Sequence, residues 1–170
     1  TINFDPTVNG WSANNFDIDN LPSTLFYNMS INAGTCCTTA MISSAAGDTI
    51  SCANNFTHTD GFIAAKIKFN GNLTVASGSD GGSGWLIAEG SSGQSYSVGG
   101  AYRTCGLYIN KSSGAFTPAG GTTALSVQRF YLNSGTFTAP SGNFNVGGSW
   151  NTNLDLFVHT NGTFNHNNGT

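Results

Sequence analysis

Three short phrases in the C-terminal half constrain this chain more than any other feature. Ser113-Gly114-Ala115-Phe116-Thr117 is followed by Ser134-Gly135-Thr136-Phe137-Thr138 and then by Asn161-Gly162-Thr163-Phe164-Asn165. Their glycines are 21 and 27 residues apart, a spacing that marks coiled repeat architectures. A small residue followed by glycine permits a tight corner at positive φ. The polar–aromatic–polar alternation after it is that of a half-buried strand. Phe116, Phe137 and Phe164 are therefore expected to point inward and stack from coil to coil.

Shorter alternations lie around these phrases. Leu125 and Val127 lead into residues 128–132, Phe144 and Val146 follow the second phrase, and Gly147-Gly148-Ser149-Trp150 reads as a corner closed by an aromatic. The N-terminal half carries weaker echoes in Phe26-Tyr27-Asn28-Met29-Ser30-Ile31-Asn32 and in residues 67–75. No window places apolar residues at i, i+3, i+4 and i+7, so short strands broken by Gly and Asn are expected throughout.

Tyr27-Asn28-Met29-Ser30-Ile31-Asn32 resembles the phrase YNLTIN of long bacterial and archaeal surface proteins. Residues 134–142 are similar to their SGTFTAPSG, and residues 161–170 to their NGTFNHNNGTV. The resemblance implies a right-handed parallel β-helix of many coils, of the adhesin or filament kind. It runs through the greater part of the chain, and residues 77–106 depart from it. Joined head to tail, the ends read NNGT–TINF, which fits one period of a longer repetitive chain or a subunit that stacks on itself. No capping helix or charged plug is legible at either end, and uncapped strand edges are pairing sites. About six to eight coils at ~4.8 Å each would form a rod on the order of 30–40 Å long.

At 170 residues the chain suits a single domain, residues 1–170. Charged residues make up 8%, against about a quarter in ordinary globular proteins, so amides, hydroxyls, backbone or attached sugar must keep the surface wet. An aromatic share of 12% argues against disorder. A net charge of −3 with five scattered cations lacks the basic footprint of a nucleic-acid binder. No apolar run is long enough to span a bilayer. No signal peptide stands at Thr1, so an exported form is expected to be mature or excised.

Cys36, Cys37, Cys52 and Cys105 show no zinc or haem spacing. In a composition of secreted type they are expected to form disulfides, in any of three full pairings, the alternative being buried thiols that act as small apolar residues. Sequons occur at Asn28, Asn55, Asn72, Asn110, Asn161 and Asn168. Composition alone supplies about five, so these glycosylation candidates rest on the shortage of surface charge rather than on their number.

Little is arranged for catalysis. Asp17 and Asp19 share a strand face, but no second carboxylate pair stands near them in sequence. Residues 78–84, Gly-Ser-Asp-Gly-Gly-Ser-Gly, hold one imperfect copy of a calcium-roll unit that works only when repeated, and read as a surface loop anchored by Trp85. His58, His159 and His166 are dispersed. Of the three phrases, Thr136-Phe137-Thr138 alone has the double threonine of an ice-binding ladder.

The sequence thus reads as an all-β parallel β-helix (β-solenoid), with a β-sandwich pilus-like subunit exchanging its N-terminal strand as the alternative. The expected function is that of a structural or adhesive extracellular cell-surface protein, not an enzyme and without cofactor or metal. Its expected partners are copies of itself and surface glycans. The other readings are a carbohydrate-binding module using Trp11, Trp85, Trp150, Tyr96 or Tyr102, and a polysaccharide-active β-helix enzyme.

Overall fold

The computed structural model describes residues 2–4, 15–17, 25–32, 41–43, 49–99, 104–147 and 157–170; for 2–4, 15–17, 25 and 41–43 the backbone alone is described. These residues contain strands and no helix. The chain winds through them coil by coil. The first coil holds β1 (Ile2–Phe4), β2 (Asn15–Asp17) and β3 (Leu25–Phe26). Next come β4 (Met29–Ile31), β5 (Met41–Ser43) and β6 (Ile50–Cys52), then β7 (Phe56–His58), β8 (Phe62–Ile63) and β9 (Lys66–Phe69). After β10 (Leu73–Val75), β11 (Trp85–Ala88) and β12 (Gln94–Val98), two strands turn a corner without a break, β13 (Gly106–Pro118) and β15 (Phe130–Thr138), with β14 (Leu125–Val127) between them. The chain closes with β16 (Phe144–Val146), β17 (Phe157–His159) and β18 (Thr163–Asn165).

Stacking gives three faces. The first is the ladder β1-β4-β7-β10-β12-β13-β15-β18, the second β3-β6-β9-β11-β13-β15-β17, and the third is made of β2-β5-β8 and β14-β16. Every pairing among the described residues is parallel. The protein is a parallel β-helix, and this topology replaces the antiparallel sandwich that was its alternative.

Each face turns one row of side chains inward. On the first face Met29, Phe56, Leu73 and Tyr96 lie in register, as do Gln94, Phe116, Phe137 and Phe164. Phe116 and Phe137 are fully buried and Phe164 partly so, with ring centroids 6.4 Å and 5.7 Å apart along the column. The glycines of the three phrases have φ of 71°, 85° and 88°, a conformation that L side chains rarely adopt. On the second face one inward column runs Ile50, Ile67, Leu86, Leu107, Phe130, Phe157, and the next Cys52, Phe69, Ala88, Ile109, Leu132, His159.

That second column corrects the disulfide expectation for two of the cysteines. Cys52 and Cys105 are free thiols, both buried. Cys52 occupies an apolar rung above Phe69, and its Sγ donates to the carbonyl of Asn55 at 3.1 Å. Burial pushes the Cys105 thiol up to about 12 and also raises Cys52, so both stay protonated and unreactive at neutral pH. Cys36 and Cys37 lie outside the described residues.

Residues 77–99, which break the sequence pattern, nonetheless complete coils in register with their neighbours. The glycine-rich stretch 78–84 is not a free surface loop: Gly78, Asp80 and Ser83 are exposed, but Ser79, Gly81, Gly82 and Gly84 are buried. It stacks on β8, with Ile63 N–H donating to Gly81 O and Gly84 N–H to Ile63 O, both at 2.9 Å. A Cβ on Gly82 or Gly84 would come within 1.9 Å or 2.1 Å of a carbonyl oxygen of the coil below, so backbone-on-backbone contact demands glycine here.

Candidate functional site

Along the outside of the second face the register sets Lys66, Trp85 and Gly106 in one row, and Lys68, Ile87, Tyr108, Tyr131 and Val158 in the next. Gly106 leaves a vacant rung. A Cβ there would lie 2.6 Å from the Trp85 ring, which occupies that space instead. Lying across Gly106, the indole reaches Tyr131 edge-on, with centroids 5.1 Å apart and planes at 88°. Tyr108 meets Tyr131 at 5.8 Å and Trp85 at 6.4 Å, again edge-to-face, the arrangement the ring quadrupoles favour. Lys66, Trp85, Ile87, Tyr108 and Tyr131 line an open recess of about 360 Å³, at the small end of the range for ligand pockets.

Arg129 lies against the Trp85 ring of this cluster. Its guanidinium sits 4.3 Å from the Trp85 ring centroid and donates from Nη2 to Ser83 O at 2.5 Å. The buried glycine turn, which ends in a Trp85 N–H bond to Ala65 O at 2.9 Å, thus holds both the indole and its cation. Along the far edge a polar ladder crosses four coils. Lys68 pairs with Glu89 at 3.3 Å, Asn110 Nδ2 donates to Glu89 Oε1 at 3.3 Å, and Asn133 Nδ2 donates to Asn110 Oδ1 at 2.9 Å. The hydroxyls of Tyr108 and Tyr131 have no hydrogen-bond partner among the described residues. The recess therefore offers apolar ring surface, free phenol groups and cations side by side. The outer row of the first face, with Ser30, Thr57, Thr74 and Ser97 in register, offers only small hydroxyls.

The residues singled out from the sequence go to several places. Trp85 lies in the recess. Tyr96 does not face solvent: it is buried in the Phe116–Phe137 stack, its hydroxyl donating to Thr138 O at 2.8 Å. Trp11, Trp150, Tyr102 and Asp19 lie outside the described residues, and Asp17 is on β2, where the backbone alone is described.

Three sequon asparagines form a corner ladder. Asn28 Oδ1 accepts the Asn55 N–H at 3.1 Å, Asn55 Oδ1 the Asn72 N–H at 2.8 Å, and Asn72 Oδ1 the Ser95 N–H at 2.8 Å. Asn110 spends its Nδ2, the atom that would carry a sugar, on Glu89. Asn161 and Asn168 are exposed in the last coil. His166 Nδ1 accepts from the Asn168 N–H at 3.2 Å, and His58 and His159 each hold a corner rather than meeting.

Sequence reasoning missed Tyr108, Tyr131, Ile87, Lys66 and Arg129 as site residues. One signal was present: Trp85, Tyr108 and Tyr131 recur every 23 residues. One further polar group lies inside the helix. The Lys111 ammonium, its pKa lowered by burial, donates to Ser92 O at 2.9 Å and to Gln94 Oε1, and Gln94 Nε2 donates to Gly71 O at 2.6 Å. Two of the three ammonium protons are thus directed at a backbone carbonyl and an amide oxygen, the kind of partner a cation in a corner of the core requires.

No protein family matches the chain, and no curated protein or solved structure is similar enough to it to count as a match.

Proposed function

We propose that this chain is a structural, adhesive module of an extracellular surface protein, a rigid β-helix that holds carbohydrate in the recess on its second face. The observation that carries this reading is the cluster of Trp85, Tyr108 and Tyr131 at mutual ring distances of 5.1–6.4 Å on one outer face. A sugar ring has apolar C–H faces and a rim of hydroxyls, so it needs flat aromatic surface beside hydrogen-bonding groups; Tyr and Trp supply both at small entropic cost. A β-helix suits the task because its strand register holds the platform rigid, which reduces the ordering cost of binding. Low surface charge and the likeness of residues 27–32, 134–142 and 161–170 to phrases of surface proteins support the extracellular setting.

The test is a glycan array probed with the full chain and with Trp85→Ala, folding of both being checked by circular dichroism. Binding to a defined set of glycans that disappears in the folded variant supports the reading. A folded wild-type chain that captures no glycan sinks it.

A second element of the reading is stacking along the helix axis. β17 and β18 pair with β15 and with no other described strand, and Phe157, at the end of its inward column, is 49% exposed. Further coils laid on this edge, from a longer chain or from a second copy, would bury it. Electron microscopy of the concentrated chain showing filaments that Phe157→Asp abolishes supports self-stacking; a monomer by sedimentation at every concentration removes it.

A further inference from the structure

We infer that the recess selects an anionic saccharide, one whose ring carries a carboxylate or sulfate, over a neutral one; this deepens the carbohydrate-binding reading and rests on it. The chain has five Lys and Arg against eight Asp and Glu, yet its cations are not scattered. Lys111 is spent inside the core, and Arg103 lies outside the described residues. Of the remaining three, Lys66 lines the recess, Arg129 stacks on its Trp85 ring, and Lys68 lies in register with its Ile87.

Among the described residues the carboxylate that meets one of these cations is Glu89, which is bonded to Lys68 and Asn110. Asp60 and Asp80 belong to the glycine corner next to the third face, and neither forms an ion pair with these cations. The local balance is therefore positive on a molecule whose formal charge is −3.

The individual cations differ in what they have left to give. Lys66 is exposed at the rim and has no acidic partner among the described residues. Arg129 is oriented by the indole and by Ser83 O, and a guanidinium has five donors, so most of its fork stays available to an anion. Lys68 is neutralised by Glu89. An acidic group carried by a sugar on the Trp85 platform would find Lys66 and Arg129 on the Trp85 side of the recess. A neutral sugar would leave both charges unanswered. Because the site is open to solvent, each charge contact is modest and screened by salt.

The experiment measures binding of the full chain to polygalacturonate, dextran sulfate and neutral dextran at low and high salt, together with Trp85→Ala, Lys66→Gln and Lys66→Arg. Expected are binding to an acidic polymer that weakens with salt, loss in Trp85→Ala, a drop of about fivefold in Lys66→Gln, and recovery in Lys66→Arg. Preference for polygalacturonate over dextran sulfate assigns a carboxylate, and the reverse a sulfate. Dextran bound as tightly as either acidic polymer, with no effect of salt or of Lys66→Gln, overturns the inference and leaves carbohydrate binding standing. Acidic polymers bound equally by wild type, Trp85→Ala and Lys66→Gln reveal a diffuse charge effect and also overturn it. No binding to any of the three, together with an empty glycan array, removes the parent reading as well.

Discussion

Two corners of this molecule are built from nearly the same four residues and meet different fates. His58-Thr59-Asp60-Gly61 follows β7, and His159-Thr160-Asn161-Gly162 follows β17. In each, the histidine Nε2 faces the carbonyl of the glycine three residues on, at 2.7 Å and 3.1 Å. Each glycine has positive φ, 96° and 88°. Each threonine N–H donates to an inward residue of the coil before, to Ile31 O at 2.8 Å and to Leu132 O at 3.0 Å.

The local structures match, yet His58 is 0% exposed whereas His159 is open to solvent. His58 has rungs on both sides, Ile31 and Val75. His159 has Leu132 on one side and no described strand on the other. The turn is written into the tetrapeptide, but its burial comes from the coil stacked on it. An inward position on an inner coil is core, and the same position on the last described coil is more exposed.

The aromatic column gives the largest expression of that difference. Phe137 is fully buried among Tyr96, Phe116, Phe130, Phe144 and Phe164, whereas Phe164 is only partly covered. Phe137→Ala is expected to cost about 3–5 kcal/mol and Phe164→Ala about 1–2 kcal/mol, read from urea denaturation. Equal losses would mean that the last coil is as well packed as the inner ones.

The histidines give the next. Burial lowers His58 to about 4, against 6.5 for the free side chain, with the Gly61 hydrogen bond and the Asp60 charge opposing the shift. Its Nδ1 is buried and has no partner among the described residues, so Nε2 carries the proton that Gly61 O accepts and the ring is neutral. Between pH 6.5 and 4 the unfolded chain takes up a proton at this residue that the folded chain refuses. Stability therefore falls as the pH drops through that window, by up to about 3 kcal/mol. His58→Gln should flatten this part of the pH–stability profile. A profile with the same slope in His58→Gln would place the sensitivity elsewhere.

The smallest test concerns the asparagines. Asn55→Ala removes the acceptor of the Asn72 N–H in the next coil and is expected to cost about 1 kcal/mol. Asn165→Ala breaks a bond to the N–H of Asn167 two residues on, within its own turn, and should change stability by about a few tenths of a kcal/mol. Thermal melts of the two variants separate a tie between coils from a local one.

Much of the helix could be read before folding. The Gly-x-Phe phrases announced corners at positive φ and an inward aromatic every second position. Both are properties of a few adjacent residues, so they survive in any context that closes the coil. The register could not be read. Coils stacked at the asparagine corner are separated by 27, 17 and 23 residues, and nothing in one coil states the length of the next.

That is why Cys52 looked like a disulfide half and is a core rung, and why Tyr96 looked exposed and is stacked between phenylalanines. It is also why residues 78–84 looked like a loop and are a turn whose glycines 81, 82 and 84 pack against the coil below. The recess depends on register most of all. Trp85, Gly106 and Tyr131 come from three coils, and they meet because parallel pairing brings a vacant glycine rung beneath the indole. Short-range chemistry set the corners and the inward–outward alternation, since those depend on φ and on a two-residue period. Burial, the fate of Cys52, Cys105 and the histidines, and the placing of Lys66 and Arg129 beside Trp85 were set by stacking, which aligns residues about twenty positions apart through hydrogen bonds that exist only once the coils have closed.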